Sequence, residues 1–266
     1  MKIGFLITAR LKSSRLPFKI LKDLNGKKVI ERIIDRAKEV DDISEIVLCT
    51  STNPQDKPLI DIAKKNDIYY FNGSEEDVLQ RLLSASQLYS MDYIVGITAD
   101  NPLFTIYYSN RIVDEFKRNN YDYIKLKGLP LGCATYGMKV KALETICAVK
   151  NIVDTEIWGP LIDRPELFNI KTIEVDQFLR RPDYRLTLDY IEDYVLLNNI
   201  YKNVPFKNVI KLYDVIDYLD QNPEIVSINS NCTQLNLDDK TLKIIEKNFL
   251  DNIKTINKIK EEIYSQ

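Results

Sequence analysis

Residues 2–9 are apolar apart from Lys2 and Thr8 and do not alternate, a pattern that suits a strand covered on both faces, as in a parallel sheet. The period then changes. After an irregular stretch carrying Pro17 and Gly26, residues Val29, Ile30, Ile33, Ile34 and Ala37 recur at helical spacing, and 45–49 return to a strand pattern, which makes one βαβ unit. The alternation goes on with a helix over 58–65, a strand over 68–71, a helix over 75–88, a strand over 93–98, a helix from about 109 and a strand over 121–126. The chain is therefore predicted to be α/β: a Rossmann-like, three-layer α/β/α body around an open, mainly parallel sheet. Gly128, Pro130, Gly132 and Gly137 then loosen the pattern, and 127–165 is expected to project from the sheet. Strands at 168–175 and 184–188 and helices at 191–201 and 212–221 complete a main domain of 1–230. In 231–266, Leu242, Ile245, Phe249, Ile253, Ile256 and Ile263 lie three, four or seven apart amid polar residues. They predict an amphipathic helical tail that packs on its own domain or carries an oligomer contact.

Composition narrows the chemistry. The 37 Lys and Arg against 39 Asp and Glu leave a formal charge of -2, so no basic field is available to hold nucleic acid. The count of His is 0, which removes every histidine base, triad and metal ligand. Cys49, Cys133, Cys147 and Cys232 form no C-x-x-C pair, so neither a zinc site nor a disulfide framework is written in the spacing. No apolar run approaches the roughly 20 residues of a membrane helix, and the first residues read as a strand, not a signal peptide. A cytoplasmic protein without membrane or nucleic-acid partners is expected.

Ligands of parallel sheets gather at the carboxyl ends of the strands, which directs attention to the loop after the first strand. There Ala9, Arg10, Leu11, Lys12, Ser13, Ser14, Arg15, Leu16, Pro17, Phe18 and Lys19 place four cations and two hydroxyls in eleven residues. Arg10, Arg15 and Lys19 could surround a polyphosphate while the amides of Lys12 to Ser14 donate to it; a merely solvated basic loop is the alternative. Neither G-x-x-x-x-G-K-[ST] nor G-x-G-x-x-G occurs here, which argues against a P-loop NTPase or a dehydrogenase. Two acids fall at later strand ends: Asp100 in Gly96-Ile97-Thr98-Ala99-Asp100-Asn101-Pro102, and Asp189 in Arg185-Leu186-Thr187-Leu188-Asp189-Tyr190-Ile191-Glu192-Asp193. Mg²⁺ bound to a triphosphate is typically held by one or two carboxylates, and this pair meets that demand. Asp189 could instead cap the following helix.

The loop, followed by Leu24-Asn25-Gly26-Lys27, resembles the start of the CMP-sugar synthetase superfamily, within it the spore-coat-polysaccharide (SpsF-like) branch of acylneuraminate and 3-deoxy-manno-octulosonate cytidylyltransferases, whose loop reads A-R-x-x-S-x-R-L-P-G-K. Lys12 and Phe18 stand where that pattern commonly has glycine. Asp100 falls on the aspartate of the family's I-T-G-D-x-P and Asp189 on that of its R-x-T-x-D-x-x-E-D, positions that hold the divalent metal in these enzymes; Ala99 replaces a glycine, and Tyr190-Ile191 replaces Thr-Pro. Residues 73–81, ending in Arg81, resemble G-x-x-x-D-V-L-x-R, and Arg81 is expected to approach the nucleotide, with a solvated or salt-bridged helix arginine as the alternative. On the acceptor side the match is weaker: Cys133 and Tyr136 replace acidic residues, and 154–160 lacks the histidine of E-H-x-T-P.

The resemblance covers roughly 1–230 and implies a GT-A-like nucleotidyltransferase fold, with 127–165 as acceptor-side or dimer segment. It implies a CTP-dependent cytidylyltransferase, forming a CMP-linked acidic sugar for surface polysaccharide and releasing pyrophosphate, with Mg²⁺ as cofactor, CTP and an acidic sugar as partners, and a homodimer. Asp100 and Asp189 would hold the metal; Arg10, Arg15 and Lys19 would bind the triphosphate; Ala9, Ser13, Ser14 and Thr98 would line the nucleotide. Arg185 could meet the acceptor's carboxylate or make a structural ion pair. Two alternatives stand beside this reading. A nucleotide-sugar-dependent glycosyltransferase would usually carry Asp-x-Asp, which is absent from the chain. A catalytically silent nucleotide-binding protein of the same fold is supported only by the altered acceptor-side residues.

Overall fold

The computed structural model describes all 266 residues. In chain order the elements are β1 (Ile3–Thr8), α1 (Val29–Lys38), β2 (Glu45–Ser51), α2 (Lys57–Lys65), β3 (Tyr69–Gly73), α3 (Val78–Leu88), β4 (Tyr93–Thr98), α4 (Ile106–Arg118), β5 (Tyr123–Lys127), β6 (Tyr136–Lys139), α5 (Val140–Val149), α6 (Gly159–Ile162), β7 (Ile170–Glu174), α7 (Ile191–Asn203), α8 (Leu212–Gln221), α9 (Pro223–Val226) and α10 (Asp239–Ser265). One seven-stranded sheet runs in the order β3-β2-β1-β4-β6-β5-β7. Every pairing is parallel except the two made by β6. Successive side chains of a strand point to opposite faces, and β1 obeys this by sending Phe5 and Ile7 into one core and Leu6 into the other. The first core, 46 residues, lies under α1, α2, α4, α7 and α8; the second, 21 residues, lies under α3, α5 and α10. The three-layer α/β/α architecture follows.

Two expectations need correction. Residues 127–165 do not simply project: β6 inserts within the sheet between β4 and β5, because both of those strands would otherwise leave a row of backbone groups unpaired. Gly96 makes the insertion fit, since a Cβ there would lie 2.2 Å from the Tyr136 ring on β6. Nor do residues 184–188 form a strand. They make a single β-bridge, Leu131 opposite Arg185, with Leu131 N donating to Tyr184 O at 2.9 Å and Leu186 N to Leu131 O at 2.8 Å, and Leu188 N donates to Asp100 O at 2.9 Å. The tail is a single helix, α10, whose Ile245, Phe249 and Ile256 are buried against α5 and α6.

Candidate active site

The loop after β1 is held from below by a buried acid. Leu11 N donates to Asp56 Oδ1 at 2.7 Å, and Ser51 Oγ donates to the other oxygen of the same carboxylate. Leu16 N donates to Ser13 Oγ at 3.3 Å, which folds the loop back on itself. Between these anchors the amides of Lys12, Ser13 and Ser14 have no acceptor within the protein, leaving consecutive N–H groups for an anion. Ala9 is buried behind them and Ser14 is exposed. The loop ends with Phe18 in the left-handed region, φ 54°, and the short turn it opens aims Lys19 inward.

Asp100 and Asp189, 89 residues apart in the chain, meet there. The Lys19 ammonium donates to Asp100 Oδ2 at 2.6 Å and to Asp189 Oδ1 at 2.8 Å. Arg15 Nη2 donates to the same Asp189 oxygen at 2.8 Å, and Arg185 Nη2 to the other at 2.9 Å. Thr98 Oγ1 donates to Asp100 Oδ1 at 2.7 Å and accepts from Asn101 Nδ2 at 2.6 Å, so the Thr98 hydroxyl orients the carboxylate. Burial alone would raise the Asp100 carboxyl's pKa, but the Lys19 charge and hydrogen bond outweigh it and hold it below the ordinary value. Burial would likewise lower Lys19, yet its two aspartates raise it.

Asp189 does not cap α7. That task falls to Asp193, whose Oδ2 accepts from Asp189 N at 2.8 Å and Tyr190 N at 3.0 Å. Asp193 is fully buried and also takes Arg185 Nε on Oδ1 at 2.9 Å, so Arg185 is clamped between Asp189 and Asp193. Burial would lower the Arg185 pKa, but the two carboxylates raise it. Gly132 brings the 129–133 segment against this junction, with φ 92° and Thr187 N only 2.6 Å from where a Cβ would stand. A side chain would push the segment away from Asp189.

The remaining candidate residues lie elsewhere. Arg10 turns from the aspartates, donating to Glu75 O at 2.7 Å and to Glu156 Oε2 at 3.1 Å. Arg81 is a correction: it is 0 % exposed, with its side chain enclosed by the protein and not presented to the cleft. Its Nη1 donates to the Ser74 and Glu75 carbonyls, while Nε and Nη2 have no partner, so it supports the turn on which Arg10 rests. Glu156 reaches Arg10 because Thr155 is fixed to the start of α3, accepting from Leu79 N and donating to Asp77 Oδ1, each at 3.0 Å.

The three cations Lys19, Arg15 and Arg185 balance the three carboxylates Asp100, Asp189 and Asp193. No group of three or more acidic or sulfur ligands that could hold a metal occurs in the chain. Two carboxylate oxygens that already share one cation are nevertheless a hard donor set, and it fits a dication that brings its other ligands as phosphate oxygens and water.

Comparison with known proteins gives a consistent picture. Residues 5–229 match the cytidylyltransferase family. An uncharacterized protein of Methanocaldococcus jannaschii is 35% identical over 236 residues, covering 88% of this chain and 97% of that one. The spore coat polysaccharide biosynthesis protein SpsF of Bacillus subtilis is 26% identical over 229 residues, covering 84% and 95%. Among solved structures, a cytidylyltransferase from Leptospira borgpetersenii superposes with a TM-score of 0.80 at 27% identity, covering 89% of this chain and 100% of that one.

Proposed function

The chain belongs to the cytidylyltransferase family, and we propose that it transfers CMP from CTP to an acidic sugar of the nonulosonate or octulosonate kind, releasing pyrophosphate. One observation carries this reading: a single ammonium, Lys19, bridges Asp100 and Asp189 at the carboxyl edge of the sheet, beside Arg15 and three unpaired loop amides. An acceptor hydroxyl attacks the α-phosphorus and gives up its proton to solvent, an oxygen–phosphorus bond forms, and the bond from the α-phosphorus to the bridging oxygen of the β-phosphate breaks, so that pyrophosphate leaves. No protein nucleophile is needed, which agrees with a chain whose count of His is 0 and whose Cys49 and Cys133 thiols are buried and pushed up to about 12. Asp100 and Asp189 would hold Mg²⁺, which when bound supplies screening of the triphosphate charge. Lys19 and Arg15, with the amides of 12–14, bind phosphate oxygens, and the Thr98 hydroxyl keeps Asp100 turned toward them. Arg10 joins them by exchanging Glu156 for phosphate. The similarity to a polysaccharide biosynthesis protein supports a role in surface polysaccharide. No helix is long and apolar enough to cross a membrane, which accords with a cytoplasmic enzyme. Exposed Ile244 and Leu250 on α10 support a homodimer contact.

The test is pyrophosphate release from CTP with a panel of acidic sugars, with and without Mg²⁺. Metal-dependent turnover of at least one sugar is expected, and Asp100→Asn and Asp189→Asn should each lower it at least about 100-fold. Tight CTP binding with no turnover of any sugar would contradict the proposal and favour a silent nucleotide-binding protein.

A further inference from the structure

We infer that Gln234, with Arg185, forms the subsite that takes the acceptor's carboxylate, an inference that rests on the cytidylyltransferase reading above. The residues standing at the family's acceptor-side positions cannot supply it. Cys133 is fully buried, and Tyr136 is packed on Gly96 and, at 4.6 Å between ring centroids, on Trp158. The chain beyond the matched 5–229 comes back to the site instead. Asn229 Nδ2 donates to Arg185 O at 2.9 Å and to Asp193 Oδ1 at 2.8 Å, which anchors the turn where the segment departs. Tyr190 Oη then donates to Thr233 O at 3.3 Å, and Arg185 Nη1 donates to Gln234 Oε1 at 3.1 Å.

The arginine explains why this contact matters. Its Nε and Nη2 are committed to carboxylates, Asp193 and Asp189, whereas Nη1 holds only the neutral amide oxygen of Gln234. That nitrogen is the one place on the fork where an incoming carboxylate can bind without displacing a charged partner, and a carboxylate adds to the hydrogen bond an attraction between opposite charges that the amide oxygen of Gln234 lacks. Gln234 is exposed, so its side chain can swing aside, and its amide N–H groups then donate to the same carboxylate. Location fits as well. Arg185 and Lys19 bond opposite oxygens of Asp189, so a sugar held on Nη1 lies one side chain from the phosphate-binding cations. The Tyr190 ring beneath both Arg185 and Arg15, at 5.5 and 4.9 Å, keeps the two guanidiniums in register.

Gln234→Glu tests this in the full chain, because it places a fixed carboxylate on Nη1 in competition with the substrate. At saturating CTP, the KM for the acidic sugar should rise at least about tenfold, with the KM for CTP within about twofold of wild type. Gln234→Ala should raise the sugar KM less, since it removes a donor without adding a competitor. A purely structural contact would be reinforced by Gln234→Glu and would leave the sugar KM unchanged; that result overturns the inference. Wild-type protein that binds CTP but turns over no acidic sugar overturns the subsite as well, while failure to bind CTP at all removes the cytidylyltransferase reading and the subsite with it.

Discussion

Phe18 holds a backbone conformation, φ 54°, that costs an ordinary L-residue about 1–2 kcal/mol, and its side chain is 48% exposed, so little packing offsets the cost. The family pattern commonly has glycine at this position, a residue that adopts the left-handed backbone without strain. Phe18→Gly should therefore leave the unfolding free energy unchanged or raise it by up to about 1 kcal/mol, since relief of strain is partly cancelled by glycine's entropy. Chemical denaturation reads this directly, and a loss of more than about 1 kcal/mol would contradict it. At this scale the sequence was informative about which side chains matter but not about which way they turn. Arg10, Arg15 and Lys19 are equivalent in a one-dimensional reading. Only the anchoring of Leu11 on Asp56, forty-five positions away, sends Arg10 one way and the others toward Asp189. Arg81 failed for a related reason, because a cation at helical spacing gives no hint that the turn at 74–75 will close over it.

The element that assembles the site is the start of α7. Asp193 caps it, binds Arg185 and fixes Asn229, all at full burial, so its removal leaves a buried guanidinium short of charge and two amides without acceptors. Asp193→Ala should destabilise the protein by about 3–5 kcal/mol in urea denaturation. A loss below about 1 kcal/mol would show that Arg185 does not depend on it. The parallel half of the sheet was legible because its strands are continuous apolar runs flanked by periodic helices. β6 was not. It is four residues long and contains Gly137, whose lack of a side chain lets Ile112 and Phe116 of α4 press against the strand, and it is a strand only because β4 and β5 lie on either side. Residues 184–188 show the converse: Leu186 and Leu188 alternate as a strand should and are buried, yet no neighbouring strand is there to pair with them.

Over the whole molecule, a count of His of 0 means that no side chain has an ordinary pKa in the middle of the neutral range. The site's own pair reinforces this. Asp100 lies below its usual 3.8, so its contribution is complete above that value and is lost as the pH falls through the lowered one. Lys19 lies above its usual 10.5, so its contribution is complete below that value and is lost as the pH rises through the raised one. Stability should thus be nearly flat between about pH 6 and 9, varying by less than about 1 kcal/mol in denaturation experiments. A step near pH 6.5 to 7 would point to a carboxyl raised far above its ordinary value, which the site's ion pairs do not produce.

Everything assigned to the site depends on Asp100 and Asp189 acting on one cation that arrives with the nucleotide. Mn²⁺ binding followed by electron paramagnetic resonance tests this most directly, using Mn²⁺ in place of Mg²⁺, with and without CTP. The free protein, whose two aspartates are already occupied by Lys19, should bind the ion weakly, and CTP should bring one tightly bound ion per chain. That ion should be weakened at least about tenfold in both Asp100→Asn and Asp189→Asn. Equal Mn²⁺ affinity in wild type and both variants in the presence of CTP would contradict the account.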